Sequence, residues 1–262
     1  MERPAYTHRV LAMERTHRLR EDQAWLPPSV RRTRWLVSGA VWGAGGAAIV
    51  GAAVAAPVTL VLWKGFLAGG AGALVAADRA GRAMLRRQIL KMARGEIALA
   101  DLSGRAEGEL VVVRGTIEAA ELVRGVLLDA EGVYRRMTFG GWVHEAAVNF
   151  TLIDERGERI LIEAAGARWM TQRREHVKYP GTRFDQPHVS PKVQALVAGK
   201  ASVEAFEQVL APGSKVQIVG YKTSSADVSG DASGYRLPPQ RATLRSGDDL
   251  PLVIITQADL AT

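Results

Sequence analysis

The chain contains no cysteine. That absence excludes disulfides, thiol catalysis and every cysteine-ligated zinc or iron–sulfur site. It leaves the compartment open, since cytosolic and periplasmic chains can both lack the residue. Motifs that announce an activity are missing too: there is no G-x-S-x-G nucleophile elbow, no P-loop and no H-E-x-x-H zinc signature. Acidic residues, arginine and histidine are absent from Trp35 to Ala77, a stretch of 43 residues whose single charge is Lys64.

The formal net charge of +7 raises nucleic acid as a partner, but its distribution argues against one. Residues 1–34 hold 8 Arg against 4 acids, and residues 78–105 hold 7 basic residues against 3 acids. Residues 106–262, by contrast, hold 18 basic residues against 20 acids. The positive excess therefore flanks the hydrophobic stretch, where anionic lipid headgroups would meet it. The near-neutral remainder offers no phosphate-binding surface. Lipid contact is assigned to Arg31, Arg32, Arg34, Arg79, Arg82, Arg86, Arg87 and Lys91. Arginine far outnumbers lysine, and alanine and glycine abound, which suggests a GC-rich bacterial genome.

A spanning helix needs about 20 apolar residues, so Trp35–Ala77 is long enough for two. Pro57 suits the first turn of a helix and disfavours helical geometry in the residue before it. One helix is therefore expected at 35–55 and a second at 58–77. Positive residues mark the cytoplasmic side, and arginines at both ends imply an even number of spans. The expectation is a transmembrane helical hairpin in a bacterial inner (cytoplasmic) membrane, with both termini and the C-terminal domain in the cytoplasm. Lys64 falls about two turns from the outer end of the second helix, where it can snorkel to the headgroups; the alternative is a buried charge in a transport path. Gly39 and Gly43 are four apart, as are Gly65 and Gly69, a spacing that lets helices approach closely in lipid. Such packing would occur within the hairpin or between copies, making a homo-oligomer through the glycine-rich helices one expectation. The run Gly43–Ala48 matches G-x-G-x-x-A, but that fingerprint has meaning only between a soluble strand and helix. The apolar stretch also starts too late and runs too long for a cleavable signal peptide.

Residues 6–25 are polar, basic and loosely periodic, and read as a peripheral basic helix or a disordered tail ended by Pro27 and Pro28. Leu85, Ile89 and Met92 fall at i, i+4 and i+7, one face of a basic juxtamembrane helix over 78–94. The segment "DLSGRAEGE" (Asp101–Glu109) follows as a linker. The boundaries are thus a basic segment at 1–34, the hairpin at 35–77, the juxtamembrane helix and linker at 78–106, and a domain at 107–262.

That domain is rich in β patterns: "ELVVVRGTIEAAELV", "AVNFTLIDERGERILIEAA", "GSKVQIVGYKT" and "LPLVIIT" are separated by turn residues. Phe150–Ile153 and Arg159–Glu163, joined by "DERGE", read as a β-hairpin. Region 171–210 interrupts the pattern, first polar and irregular, then helical over "PKVQALVAGKASVEAFEQVL". The fold class expected is an α+β membrane protein: a transmembrane α-helical hairpin, then a small OB-like β-barrel with a helical insertion.

Four blocks carry a family resemblance. They are the G-x-(I/V) strand at Gly115, the tyrosine strand at Tyr134, the D-x-x-G-x-x-(I/V) hairpin at Asp154–Ile160, and the PG-x-x-V-x-(I/V)-x-G strand at Pro212–Gly220, closed by "PLVIIT". Over about 107–260 the chain resembles the GIDE-type domain, the membrane-adjacent β-barrel of mitochondrial ubiquitin ligases and related bacterial proteins. The resemblance implies a barrel beside paired transmembrane segments. It implies no ligase activity, because a ligase of that family needs a zinc-binding RING, and this chain has no cysteine to build one. It also transfers no catalytic residues.

Among the histidines, His176 and His188 fall with Asp185 in the 171–210 insertion and are the candidates for a metal site, although their spacing matches no standard ligand pattern. "SSADVSGDASG", from Ser224, is by composition a flexible loop. Tyr134, Arg135, Arg136 and Phe139 alternate along one strand, which is either an oligonucleotide-stacking face or core aromatics between solvated arginines. No cofactor is expected. The function expected is a membrane-anchored, non-catalytic interaction or scaffold protein. It would present its barrel at the cytoplasmic membrane surface to a protein partner and to anionic lipids. A metal-dependent enzyme using region 171–210 and a small pore or transporter subunit built on the glycine-rich helices are the alternatives.

Overall fold

A computed structural model describes residues 13–21, 83–93, 95–170, 176–226 and 240–256. The chain divides into two compact units, Met1–Trp25 with Ala93–Thr262, and Leu26–Met92. The first unit holds fourteen strands among its described residues. In chain order they are β1 (Met13–Arg18), β2 (Leu110–Glu118), β3 (Val123–Arg124), β4 (Glu131–Gly132), β5 (Tyr134–Phe139), β6 (Trp142–Ala147) and β7 (Phe150–Ile153). These are followed by β8 (Arg159–Ile162), β9 (Arg168–Met170), β10 (Val177–Pro180), β11 (Ser202–Leu210), β12 (Lys215–Ala226), β13 (Gln240–Arg245) and β14 (Val253–Thr256).

Five strands close into a barrel. β2 pairs with β7, β7 with β8, β8 with β13, β13 with β12, and β12 returns to β2. All these pairings are antiparallel except β8–β13, which is parallel. β14 extends the sheet from the N-terminal half of β12, and β9 pairs in parallel beyond it. Alternate residues of these strands line the barrel interior: Val111, Val113 and Ile117 of β2, Leu152 of β7, Ile160 and Ile162 of β8 and Val216 and Ile218 of β12 join one apolar cluster, while Val112 and Val219 on the opposite side are buried too. Gly115 sits where β2 crosses β7 most closely. A Cβ there would meet Ile153 O at 2.5 Å and Leu152 Cγ at 2.7 Å, so only glycine lets the strands approach.

A second sheet packs on the barrel's cluster, in the order β1-β6-β5-β11-β10. It is assembled from three separate places: the N-terminal segment, the connection between β2 and β7, and the connection between β8 and β12. β5 and β6 are joined by Gly140 (φ +50°) and Gly141 (φ +80°), the two left-handed residues of a tight hairpin turn. One face of the sheet, with Met13, Tyr134, Ala147 and Leu210, joins the barrel's cluster. The other buries Met137, Phe139, Val203 and Ala205 against Val193 and Val197 of the helix Pro191–Val197 and against Phe184 and Val189.

These findings correct the expected fold class. The described residues are mostly β, and none of their helices is long and apolar enough to cross a membrane. The α+β membrane protein with a transmembrane α-helical hairpin gives way to a β-barrel carrying a second sheet. The hairpin placed at 35–77 lies outside the described residues, as do Lys64 and the glycine spacings. Nor is the insertion mainly helical. Its helix ends at Val197, Gly199 turns the chain with φ +74°, and Ser202–Leu210 is strand. The N-terminal segment is neither a helix nor a tail at 13–18; it is the edge strand β1. In the second unit residues 83–92 are helical, with Leu85 and Ile89 buried, but Met92 is 43% exposed.

Candidate functional site

The residues singled out in the sequence do not come together. Arg31, Arg32, Arg34, Arg79 and Arg82 lie outside the described residues; Arg87 and Lys91 are exposed, and Arg86 is half-buried. In the insertion, exposed His176 places Nε2 2.9 Å from Thr138 Oγ1 on β5. His188 instead donates from Nε2 to Gly125 O at 3.0 Å, and burial holds its pKa below the ordinary value. The two histidines thus bond to different elements. Among the described residues no group of three metal-ligating side chains forms. Tyr134 and Phe139 are fully buried and Arg135 is 4% exposed, so β5 offers no stacking platform for bases.

What the structure does assemble is a set of buried polar groups, on both faces of the second sheet. Residues directly opposite on antiparallel strands share a face, and the register puts Thr16, His144 and Met137 in one row and Arg15, Glu145 and Arg136 in the next.

On the barrel-facing side the fully buried Glu145 carboxylate accepts hydrogen bonds from Arg15, from Arg136 Nη1 at 2.9 Å and from the Tyr134 hydroxyl at 3.0 Å. That hydroxyl also lies 3.1 Å from Ala167 O, and the Tyr134 ring meets Trp169 edge-on at 6.0 Å. Burial and then the Glu145 charge push the tyrosine pKa well above its usual value, keeping it a donor.

On the helix-facing side His144 is completely buried. Its Nε2 lies 2.8 Å from Arg135 Nη2 and its Nδ1 2.9 Å from Thr16 Oγ1. A guanidinium can only donate, so Nε2 is the acceptor and the proton sits on Nδ1, donated to Thr16. Burial, with help from the Arg135 and Lys192 charges, depresses the His144 pKa to about 3. The nearby Glu14 carboxylate, 3.7 Å from Nε2, therefore faces a neutral ring and forms no ion pair with it.

Arg135 Nη1 donates to Arg124 O at 2.7 Å, and its Nε stands 3.9 Å from Glu207 Oε1, close enough for charge compensation but too far for a hydrogen bond. Glu207 accepts the backbone N–H groups of Val126, Leu127 and Leu128, each at 2.8 Å. One buried carboxylate thereby fixes the loop between β3 and β4.

This arrangement fastens strands and a loop to one another. The histidine is locked in one tautomer, and each carboxylate is fully buried and bonded to its neighbours. Reading the sequence missed Arg15, Thr16, His144, Glu145 and Glu207 as a group. The one local clue was the glycine pair at 140–141, flanked by "YRRMTF" and "WVHEAA", a hairpin pattern. A scan against protein-family models finds no match for the chain, and a search of the curated proteins finds none either. Any resemblance to the GIDE type therefore rests on the residues that carry it.

Proposed function

We propose that the chain is a non-catalytic interaction or scaffold module of the GIDE type. In this reading it works at the cytoplasmic surface of a bacterial inner membrane, presenting its β unit to a protein partner beside anionic headgroups. The observation that carries this reading is where the buried polar groups go. Arg135, His144, Glu145 and Glu207 are bonded to neighbouring strands and loops, which makes the second sheet a rigid surface held on the barrel. The five-strand ring with its single parallel closure supports the OB-like description of that barrel. Placement at a membrane draws support from the uncharged run around Lys64 and from the exposed Arg87 and Lys91. The pairing of β1 with β6 requires those two strands to share one compartment.

The test uses the cysteine-free full chain in bacterial membranes. It should be recovered with the membrane fraction. Reporters before Met1 and after Thr262 should both read cytoplasm. A photo-crosslinker at Val177, exposed on the edge strand β10, should capture a discrete protein. A reproducible metal-dependent hydrolase activity in the purified chain, lost in His188→Ala, would overturn the reading.

A further inference from the structure

We propose that the edge of β6 is a strand-acceptor site, filled within the chain by β1, and that a second copy of the chain fills it in trans with its own β1. This rests on the interaction reading and names the partner.

The acceptor has both halves of a strand-recognition surface. Among the described residues β1 is the last strand of its sheet and pairs with β6 alone. The backbone ladder supplies affinity, and sites for alternate side chains supply specificity. Those sites are specific. Met13 enters the apolar cluster shared with the barrel. Arg15 reaches the fully buried Glu145. Thr16 Oγ1 accepts the Nδ1–H of His144 on the opposite face. At the far end Arg18 stacks over Trp142 at 5.3 Å, and Leu19 N–H bonds Gly141 O at 2.9 Å. An extended strand reading apolar-x-Arg-Thr-x-Arg is what this edge fits.

β1 is also tied to its sheet by pairing rather than by a short turn. Residues 26–92 belong to the other unit, and the β unit resumes only at Ala93. With no tight turn to set it, the β1–β6 register depends on the side-chain contacts, and another β1 offers the same contacts. Every chain carries both the Arg15 donor and the Glu145 acceptor, so reciprocal exchange between two copies satisfies both sites and closes a two-fold dimer. Without a strand, β6 would expose an unpaired backbone edge and leave Glu145 to Arg136 and Tyr134.

Charge reversal separates exchange from simple cis docking. Arg15→Glu opposes two carboxylates, and Glu145→Arg gathers three guanidiniums, so neither variant can seat its own β1 or that of its twin. Mixed, they can exchange reciprocally: one site recovers Arg15 with Glu145, the other the inverted pair. Each purified full-length variant receives one label through Glu155→Cys, on the exposed β7–β8 turn of this cysteine-free chain. The mixture should give a 1:1 complex by light scattering and at least a fivefold rise in energy transfer over either variant mixed with itself. Folded variants that show no such rise overturn the proposal.

Should Glu145→Arg fail to fold, a labelled peptide of residues 11–20 replaces it. That peptide should bind the Arg15→Glu chain, or Met13→Ser in its place, at least tenfold more tightly than the same peptide carrying Arg15→Glu. Equal or absent binding overturns the proposal. Capture at Val177 is a separate readout, so an interaction module without strand exchange would be recognised as such.

Discussion

The barrel and the second sheet are both five strands wide, yet different forces hold them. The ring β2-β7-β8-β13-β12 is lined by Val111, Val113, Ile117, Leu152, Ile160, Ile162, Val216 and Ile218, and its fastening is apolar burial. The second sheet buries apolar residues as well, but it also buries the bonded set Arg135, His144, Glu145 and Glu207, where the ring buries Gln217, Lys222 and Thr243. Its strands come from three distant parts of the chain, and only β5–β6 is fixed by a tight turn. Apolar contacts alone leave such strands free to slip, and a slip of one residue turns every side chain to the other face. A buried carboxylate matched to particular donors tolerates no such slip, because a missed partner leaves a charge uncompensated. The difference teaches that the polar groups here specify register where connectivity does not.

The sharpest way to break that contrast is Glu207→Ala. It strands Arg135 and leaves the N–H groups of Val126, Leu127 and Leu128 without their acceptor. Removing one side of such a buried set costs about 3–5 kcal/mol, read by urea unfolding. In native-state hydrogen exchange the amides of β5, β11 and the 126–128 loop should lose protection before those of β2 and β12. Leu152→Ala is the reciprocal case. It opens a cavity beside Gly115 and costs about 3 kcal/mol, and here the ring amides should weaken first. If both variants lowered protection uniformly, the two regions would be one cooperative unit.

The barrel was legible in the sequence because its strands are runs rich in β-formers and its hairpins carry turn residues. Phe150–Ile153 stands as expected and the strand expected at Arg159–Glu163 ends one residue earlier, at Ile162, with Asp154 and Gly157 in the turn. The second sheet was not, and the reason lies in its inward residues. In "SVEAFEQVL" the inward positions run Val203, Ala205, Glu207. A carboxylate where a third apolar residue would sit masks the period of two, and the preceding real helix invites its extension. In "MERTHR" only Met13 is apolar, because Arg15 and Thr16 are met by polar groups about 130 residues away. Nothing local signals a strand whose partner supplies the compensation. The same physics hid the candidate site, since His144 and Glu145 acquire their roles only through that pairing.

Acid provides a gentler way to load the second sheet. Burial keeps the folded His144 pKa near 3, whereas an unfolded histidine titrates near 6.5. Between those values the unfolded chain binds a proton that the folded chain refuses. The stability is therefore intact above about pH 6.5 and is lost progressively as the pH falls toward 3. From pH 7 to 5 the His144 share of the loss is about 2 kcal/mol, measured as the shift in urea midpoint. Arg135 and Lys192 face the ring and oppose its protonation, while Glu14 lies near enough to favour it weakly. His188 shifts in the same direction but is more exposed, so its share is smaller. His144→Gln keeps an acceptor for Arg135 and a donor for Thr16 without titrating. It should flatten the dependence, and an unchanged slope would remove His144 from the account.

The smallest effect belongs to a surface polar contact of the barrel, and it completes the contrast because the group lies in an exposed turn. Asp154 Oδ1 accepts the N–H groups of Arg156 at 2.8 Å and Glu158 at 3.0 Å, bracing the β7–β8 turn at the surface. In Asp154→Ala water replaces the lost acceptor, so no desolvation penalty accompanies the loss. The cost should be about 1 kcal/mol, with β5 and β11 exchanging as in the parent chain. Glu207 and Asp154 both accept backbone N–H groups through a carboxylate. The gap of severalfold expected between their alanine variants therefore isolates what burial adds to one kind of bond. Equal costs would mean that Glu207 is wetter than its full burial implies, and the second sheet would then be held by apolar packing like the ring.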